Sequence, residues 1–189
     1  MDKKTLKERI ENLGLEYVGQ AEELIEIQRE HGKKPWQNPS PHYLIGEVYI
    51  NVEGDLDKDF EILAKGIVLF PTTDIAVDER QNHDYPYLTH ANSTHVEQGS
   101  WNLLHLLRQH ADLDTGLPNN GNWKFNSLVK PNEKYDLFIS TTSRLVKENG
   151  FDSLFRDYSQ LFRGKIKAEL WQEHKHYATL TAVHKSIQK

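Results

Sequence analysis

The start of the chain shows hydrophobic side chains at helical spacing. Leu6, Ile10 and Leu13 follow one another at intervals of four and three residues, which predicts a helix over residues 2–13. Residues 20–31 repeat this spacing and predict a second helix. We therefore expect the chain to begin with two helices.

A proline-rich connection follows these helices. Three prolines lie between residues 35 and 41, and proline is excluded from a helix interior and from a central strand because it lacks the backbone N–H. We therefore expect this connection to divide the chain into two parts. Residues 1–32 form an N-terminal helical segment, and residues 42–189 form a single domain.

After the prolines the hydrophobic period changes from that of a helix to that of a strand. Alternating apolar and polar positions predict strands over residues 43–52 and 60–70, with shorter strands at 74–78 and 135–140. The first three are joined by short connections, so we expect an antiparallel meander of three to four strands.

The remainder of the chain is expected to be mostly helical. Ser100 is a suitable N-cap for a helix whose apolar face includes Leu103. Residues 112–127 are rich in glycine and asparagine and predict loops. Apolar residues return to helical spacing over 153–171, whereas 177–187 fits either a helix or a strand. The predicted fold class is α+β, an antiparallel meander flanked by N-terminal and C-terminal helices.

Composition narrows both the chemistry and the compartment. The count of Cys 0 excludes disulfides, zinc–thiolate sites and cysteine nucleophiles, and it removes any need for an oxidising compartment. Lys+Arg 23 against Asp+Glu 28 gives a formal net charge of −5, a poor match for the nucleic-acid backbone. No apolar run approaches the roughly 20 residues that cross a bilayer. We expect a cytoplasmic protein that binds neither nucleic acid nor membrane.

The histidines are concentrated in one stretch. Five of the 10 lie between residues 83 and 110, in and after an irregular polar segment over 81–99. Long irregular segments in compact domains are usually functional, so this histidine-rich loop is the candidate site. The five are His83, His90, His95, His105 and His110.

Residues 40–107 carry short motifs of a known family. Leu69-Phe70-Pro71 ends a predicted strand, and His90-Ala91-Asn92 matches two of the three residues of a His-Pro-Asn motif. Asn102 follows Gly99-Ser100-Trp101, where the family has Gly-x-x-Cys. With these motifs the chain resembles the ubiquitin-conjugating (E2) family, in a bacterial or catalytically inactive variant that lacks the cysteine.

The resemblance implies a non-catalytic module with the E2-like (UBC-like) fold. A chain without cysteine cannot carry the family's thioester, so the fold would serve to bind a protein partner. His90, Asn92, His95 and Asn102 would be the remnant of the active-site loop and would form the binding surface. The resemblance implies neither a catalytic residue nor a cofactor.

The same stretch also supports a metal-dependent hydrolase. Imidazole nitrogens and carboxylates bind zinc and other divalent ions, and His83, Asp84, His90 and His95 supply both groups within 13 positions. This alternative predicts a divalent metal such as zinc as the cofactor.

A nuclease of the His-Asn-His type is one form of this alternative. His90 would activate water, Asn102 would hold the ring of His90, and His110 would bind the metal.

A third interpretation makes the histidines structural, hydrogen-bonded to backbone in an interaction protein with no small-molecule site. The residues alone leave all three interpretations open.

Overall fold

The computed structural model describes residues 5–30, 43–55, 59–70, 91, 93–110, 114–145 and 160–188. The elements in chain order are α1 (Leu6–Glu11), β1 (Glu16–Gln20), α2 (Ala21–Glu30), β2 (Leu44–Asp55), β3 (Asp59–Leu69), α3 (Ser93–His110), β4 (Asp114–Phe125), β5 (Lys134–Leu145), β6 (Gln160–Gln172) and β7 (Lys175–Gln188). Within these residues the strands form one seven-stranded sheet of order β1-β2-β3-β5-β6-β7-β4. Every neighbouring pair in that order is antiparallel.

The 18-residue helix α3 lies across one face of this sheet, which we call the inner face. Two glycines permit the close approach of helix and sheet. A Cβ at Gly99 of α3 would lie 3.2 Å from Cγ1 of Val68, and one at Gly66 of β3 would lie 3.4 Å from Cδ1 of Leu103. The inner core thus contains side chains from the helix and from the sheet, among them Val96, Leu103, Leu106, Ile62, Ala64, Ile139, Ala168 and Leu180.

The short helix α1 lies on the opposite, outer face of the sheet. A capping box between Thr5 and Glu8 begins it, since the Thr5 side chain accepts from the Glu8 N–H and the Glu8 carboxylate accepts from the Thr5 N–H. Its apolar side then forms a second, smaller core with the sheet, made of Leu6, Ile10, Leu63 and Phe138. The two faces of the sheet therefore carry separate apolar clusters.

The N-terminal region only partly follows the predicted pattern. The helices predicted over 2–13 and 20–31 are confirmed as α1 and α2, the first of them shorter than expected. Between them the unpredicted strand β1 pairs with β2, and a register shift interrupts the pairing between Tyr17 and Gly19. The predicted division between residues 1–32 and 42–189 falls beside residues 31–42, which lie outside the described residues, and it stays a prediction.

The prediction of a C-terminal helix is wrong at β6. Ile166, Ala168 and Leu170 are buried in the inner core, while Lys165 and Lys167, which face the other side of the sheet, are exposed. This alternation is that of a strand. Residues 166 and 170 are also four apart, so these two apolar positions taken alone fit the spacing of a helix as well.

The prediction of a loop over 112–127 is also wrong, because residues 114–125 form the edge strand β4. Gly116, Pro118 and Gly121 are untypical of a central strand, but an edge strand tolerates them. The register against β7 shifts twice, between Thr115 and Pro118 and between Asn119 and Asn122. The loop-forming residues are therefore accommodated by bulges in a paired strand.

The predicted fold class is wrong as a whole. The strands predicted over 43–52, 60–70 and 135–140 are confirmed within β2, β3 and β5, and each pairs antiparallel with the next. The described sheet has seven strands rather than three to four, however, and the region expected to hold C-terminal helices supplies β6 and β7. The strand predicted at 74–78 lies outside the described residues. In the described part of the chain, no helix has the length and apolarity needed to span a bilayer.

Candidate active site

A carboxylate from the central helix lies where α3 meets the edge of the sheet. Glu97 is half-buried in the second turn of α3. Its Oε1 accepts a hydrogen bond of 3.1 Å from the indole Nε1 of Trp101, one turn further along. Residues four apart on a helix share a face, so the helix geometry places donor and acceptor together. The hydrogen bond fixes the direction in which the carboxylate points.

The sheet approaches this carboxylate through a glycine of β4. A Cβ placed at Gly121 would lie 3.3 Å from Oε1 of Glu97 and 3.5 Å from Cδ1 of Leu180. Gly121 lies in the bulge between Asn119 and Asn122, where β4 advances three residues against two on β7. The bulge and the missing side chain together let the carboxylate rest against the strand.

Two stacked aromatic rings continue along β4 from this glycine. Trp123 and Phe125 have ring centroids 5.7 Å apart and an interplanar angle of 23°. Trp123 is half-buried and packs against the inner core, and its strand partner is Leu180. Phe125 is 43% exposed. The ring pair therefore extends from the core to the surface.

We call this group the α3–β4 junction, and it consists of Glu97, Trp101, Gly121, Trp123 and Phe125. It combines an oriented carboxylate with an apolar aromatic wall. The junction also contains the Nε1 of Trp123, which is buried and has no hydrogen-bond partner within the described residues. A carboxylate can act as a general base, and an N–H can donate to a developing negative charge. The junction therefore combines a carboxylate, an N–H donor without an acceptor in the described residues, and an apolar wall.

Among the predicted site residues, Asn102 is fully placed. It is 6% exposed on α3, and its amide lies 2.9 Å from Nε2 of Gln98 and 3.3 Å from the backbone N of Tyr43. Asn102 thus connects α3 to the start of β2. The ubiquitin-conjugating interpretation is wrong because the described residues form a seven-stranded antiparallel sheet, and the assignment of Asn102 to a binding surface stays a prediction.

The remaining predicted residues are placed in part or not at all. His83, Asp84, His90 and Asn92 lie outside the described residues, and of His95 only the backbone position in the first turn of α3 is described. These assignments, like the protein partner, stay predictions.

The alternative of a metal-dependent hydrolase of the His-Asn-His type is also wrong. A nuclease of this type builds its site on a unit of two strands and a helix, whereas Asn102 and His110 both lie on α3, which packs on a seven-stranded sheet. Across the described ranges, no group of three or more histidine, aspartate or glutamate side chains is arranged to hold a metal ion.

No residue of the junction is among the site residues predicted from the sequence. Glu97 and Trp101 carry a detectable signal, because a carboxylate and an indole four residues apart can pair on a helix. Gly121 and Trp123 carry none, since they fall in the stretch that predicts loops. Their position beside α3 depends on the pairing of β4 with β7.

Comparisons with known proteins give structural likenesses only. No family profile matches the chain, and no curated protein matches it. A sigma28-regulated virulence protein of Campylobacter jejuni has a TM-score of 0.45 at 12% identity, covering 89% of this chain and 91% of that one. A Shewanella oneidensis protein provisionally assigned as a thioesterase has a TM-score of 0.40 at 12% identity, covering 89% and 99%. A hypothetical thioesterase of Streptococcus pneumoniae, solved with coenzyme A, has a TM-score of 0.38 at 9% identity, covering 74% and 85%.

All three TM-scores are below 0.5, so the fold is assigned from this chain's own connectivity. A long helix follows β3 and is covered by a sheet in which β3, β5, β6, β7 and β4 are consecutive. That arrangement is the hot-dog fold, here extended by β1 and β2 at one edge. It replaces the E2-like fold inferred from the short motifs.

Proposed function

We propose that the protein hydrolyses acyl thioesters at the α3–β4 junction, with Glu97 as the general base. The observation that carries the proposal is the half-buried carboxylate of Glu97, held by Trp101 and resting against Gly121 beside an apolar wall. This function replaces the non-catalytic E2-like module and the metal-dependent hydrolase. A cytoplasmic location belongs to the same proposal, since a chain without cysteine needs no oxidising compartment to fold.

The reaction needs one proton acceptor and one attacking water. Glu97 takes a proton from the water as its oxygen bonds to the acyl carbonyl carbon. The tetrahedral intermediate then collapses, the carbon–sulfur bond breaks, and the sulfur leaves with the electron pair. The products are a carboxylic acid and a thiol, and the proton on Glu97 returns to the thiolate or to water.

The leaving group favours a thioester over other acyl compounds. A thiol has a pKa of about 8.5, so the sulfur departs near neutral pH without a proton from the enzyme. An alcohol or an amine is a far more basic leaving group and requires a general acid. Glu97 is the single ionisable side chain assigned to the reaction. A thioester suits such a site because its hydrolysis needs no general acid.

The substrate's apolar part fits the wall of the junction. Trp123 and Phe125 form a stacked ring surface, and Leu180 lies behind Gly121. An acyl chain or ring packed there would be removed from water, which contributes roughly 25 cal/mol per Å² of apolar surface buried. The carbonyl carbon would then lie between this wall and Glu97.

The test measures thiol release from acetyl-, hexanoyl-, benzoyl- and palmitoyl-coenzyme A with a chromogenic thiol reagent. We expect turnover of at least one of the four. Glu97→Gln keeps an acceptor for the Trp101 N–H but removes the base, and it should lower kcat by about 10²- to 10⁴-fold. The matched control is Glu23→Gln, an exposed carboxylate on α2, which should leave kcat unchanged.

Two results would overturn the proposal. One is release no faster than in buffer for all four thioesters. The other is a Glu97→Gln variant that folds, as circular dichroism would show, and retains the kcat of the wild type.

A further inference from the structure

The indole N–H groups of the described tryptophans are used differently. Trp101 donates to Glu97 at 3.1 Å, and Trp171 donates to Glu169 at 3.1 Å. Trp123, the third tryptophan in the described ranges, has its Nε1 buried and without a hydrogen-bond acceptor there. Two of the three indoles thus donate to carboxylates, and that of Trp123 does not.

A buried donor without an acceptor is unfavourable. Such a group has lost its hydrogen bonds to water and has gained none from the described residues, which lowers the stability of the fold. Buried polar groups are nearly always paired in folded proteins, so an exception beside a candidate active site calls for an acceptor that the described residues do not supply. Phenylalanine would place an aromatic ring here without this penalty.

The position of Trp123 indicates which kind of acceptor its N–H could bind. Trp123 is the strand partner of Leu180, and a Cβ at Gly121 would lie 3.5 Å from Cδ1 of the same leucine, so Trp123 and Gly121 both face the inner core here. Gly121 in turn is the residue against which Oε1 of Glu97 rests. The junction therefore has a base on the helix side and an N–H donor on the strand side. An acyl carbonyl between them would present its carbon to the base and its oxygen to the donor.

We infer that the Nε1–H of Trp123 donates a hydrogen bond to the carbonyl oxygen of the substrate. The inference rests on the proposed function and adds a second catalytic residue to it. As water adds to the carbonyl carbon, the oxygen becomes negatively charged, and the hydrogen bond strengthens. A donor held out of water stabilises this charge more than a hydrated one, because the local dielectric constant is low.

The first experiment separates the N–H from the ring. Trp123→Phe removes the donor and keeps an aromatic side chain to stack on Phe125. We expect kcat to fall by about 10²-fold, the usual loss for one oxyanion donor, while KM changes by less than about threefold. The control is Trp171→Phe, on the outer face of the sheet, which should leave kcat within about twofold of the wild type. A Trp123→Phe enzyme with the wild-type kcat would overturn the inference.

The second experiment reads the hydrogen bond without turnover. The probe is hexanoyl-dethia-coenzyme A, a ketone in which CH₂ replaces the sulfur, and its control is hexyl-coenzyme A, a thioether without the carbonyl. The signal is the indole ¹H–¹⁵N peak of Trp123, assigned by its loss in Trp123→Phe. The ketone should shift this peak downfield, and the thioether should not.

The outcomes distinguish the inference from the function it rests on. If the wild type releases no thiol but the ketone shifts the peak downfield, the proposed function fails and the carbonyl-binding role of Trp123 stands. If thioesters are hydrolysed and the ketone leaves the peak in place, the inference fails and the function stands. A ketone that does not bind, or that shifts the peak no more than the thioether does, also overturns the inference.

Discussion

The indole of Trp101 donates its N–H to Oε1 of Glu97, one helical turn earlier on α3, over 3.1 Å. The hydrogen bond is charge-assisted and half-buried, so it both stabilises the helix and restrains the carboxylate. Glu97 could otherwise rotate toward solvent, because the side chain is only half-buried. The relation between these two residues therefore determines whether the carboxylate stays against β4.

Trp101→Phe is expected to weaken both stability and catalysis. Loss of a hydrogen bond to a charged group lowers the free energy of unfolding by about 1.5–3 kcal/mol. The freed carboxylate should lower kcat by about tenfold, since small misplacement of a catalytic group has large effects on rate. Urea denaturation and thiol release measure the two quantities. An unchanged kcat would show that the hydrogen bond does not position Glu97.

Gly121→Ala is expected to disturb the same carboxylate from the strand side. The new Cβ would stand 3.3 Å from Oε1 of Glu97, which forces the side chain to move by a few tenths of an ångström. We expect kcat to fall by about tenfold, with a change of less than about 1 kcal/mol in stability because Gly121 is exposed and has no positive φ that would strain an alanine.

The matched control for this variant is Gly14→Ala. A Cβ at Gly14 meets no atom within 4 Å, so neither kcat nor the melting temperature should change. If Gly121→Ala and Gly14→Ala have the same kcat as the wild type, Glu97 does not depend on its contact with β4.

The sequence predicts those elements whose pattern is settled within a few residues. The helix α2 and the strands β2 and β3 have a clear period and were correctly predicted. The strand β6 was predicted as a helix, because Ile166 and Leu170 alone fit helical spacing. The exposed Lys167 between them reveals the alternation of a strand. The buried Glu169 also breaks the usual polar-outside rule, since its partners lie on α1 and on its own strand.

The site was harder to predict than the fold, for a physical reason. Glu97 and Gly121 are 24 residues apart, and they meet only because β4 crosses to the far edge of the sheet and pairs with β7. Local spacing contains no information about such a crossover. The short E2-like motifs were misleading because they too are local. A match over three residues does not specify which strands become neighbours.

Ile10→Ala is expected to destabilise the protein without affecting catalysis. Ile10 is 0% exposed and packs with Leu63 and Phe138 on the outer face, away from the junction. Truncating a buried isoleucine to alanine costs about 2–5 kcal/mol. Urea denaturation should show this loss, and kcat at 20 °C, well below melting, should match the wild type. The control is the exposed Glu11→Ala, and equal stability of the two variants would mean that α1 does not pack on the sheet.

Glu169 is expected to make stability depend on acid. The carboxylate is 3% exposed, and it lies 2.6 Å from Nζ of Lys167 and 3.1 Å from Nε1 of Trp171. Burial by itself would raise the pKa of Glu169. The hydrogen bonds from Lys167, from the backbone N–H of Lys7 and from Trp171 outweigh burial and hold the pKa below its usual value.

A carboxyl group whose pKa is lowered by folding stabilises the native state above its unfolded pKa, about 4.3 for glutamate, and the contribution disappears as the pH falls through the lower native value. Glu169→Gln should therefore reduce the free energy of unfolding by about 2 kcal/mol near neutral pH. The difference from the wild type should shrink steadily below about pH 4.3. Urea denaturation at a series of pH values measures it, with Glu23→Gln as the exposed control. A difference that stays constant or grows toward low pH would mean that the ionised form of Glu169 does not stabilise the fold.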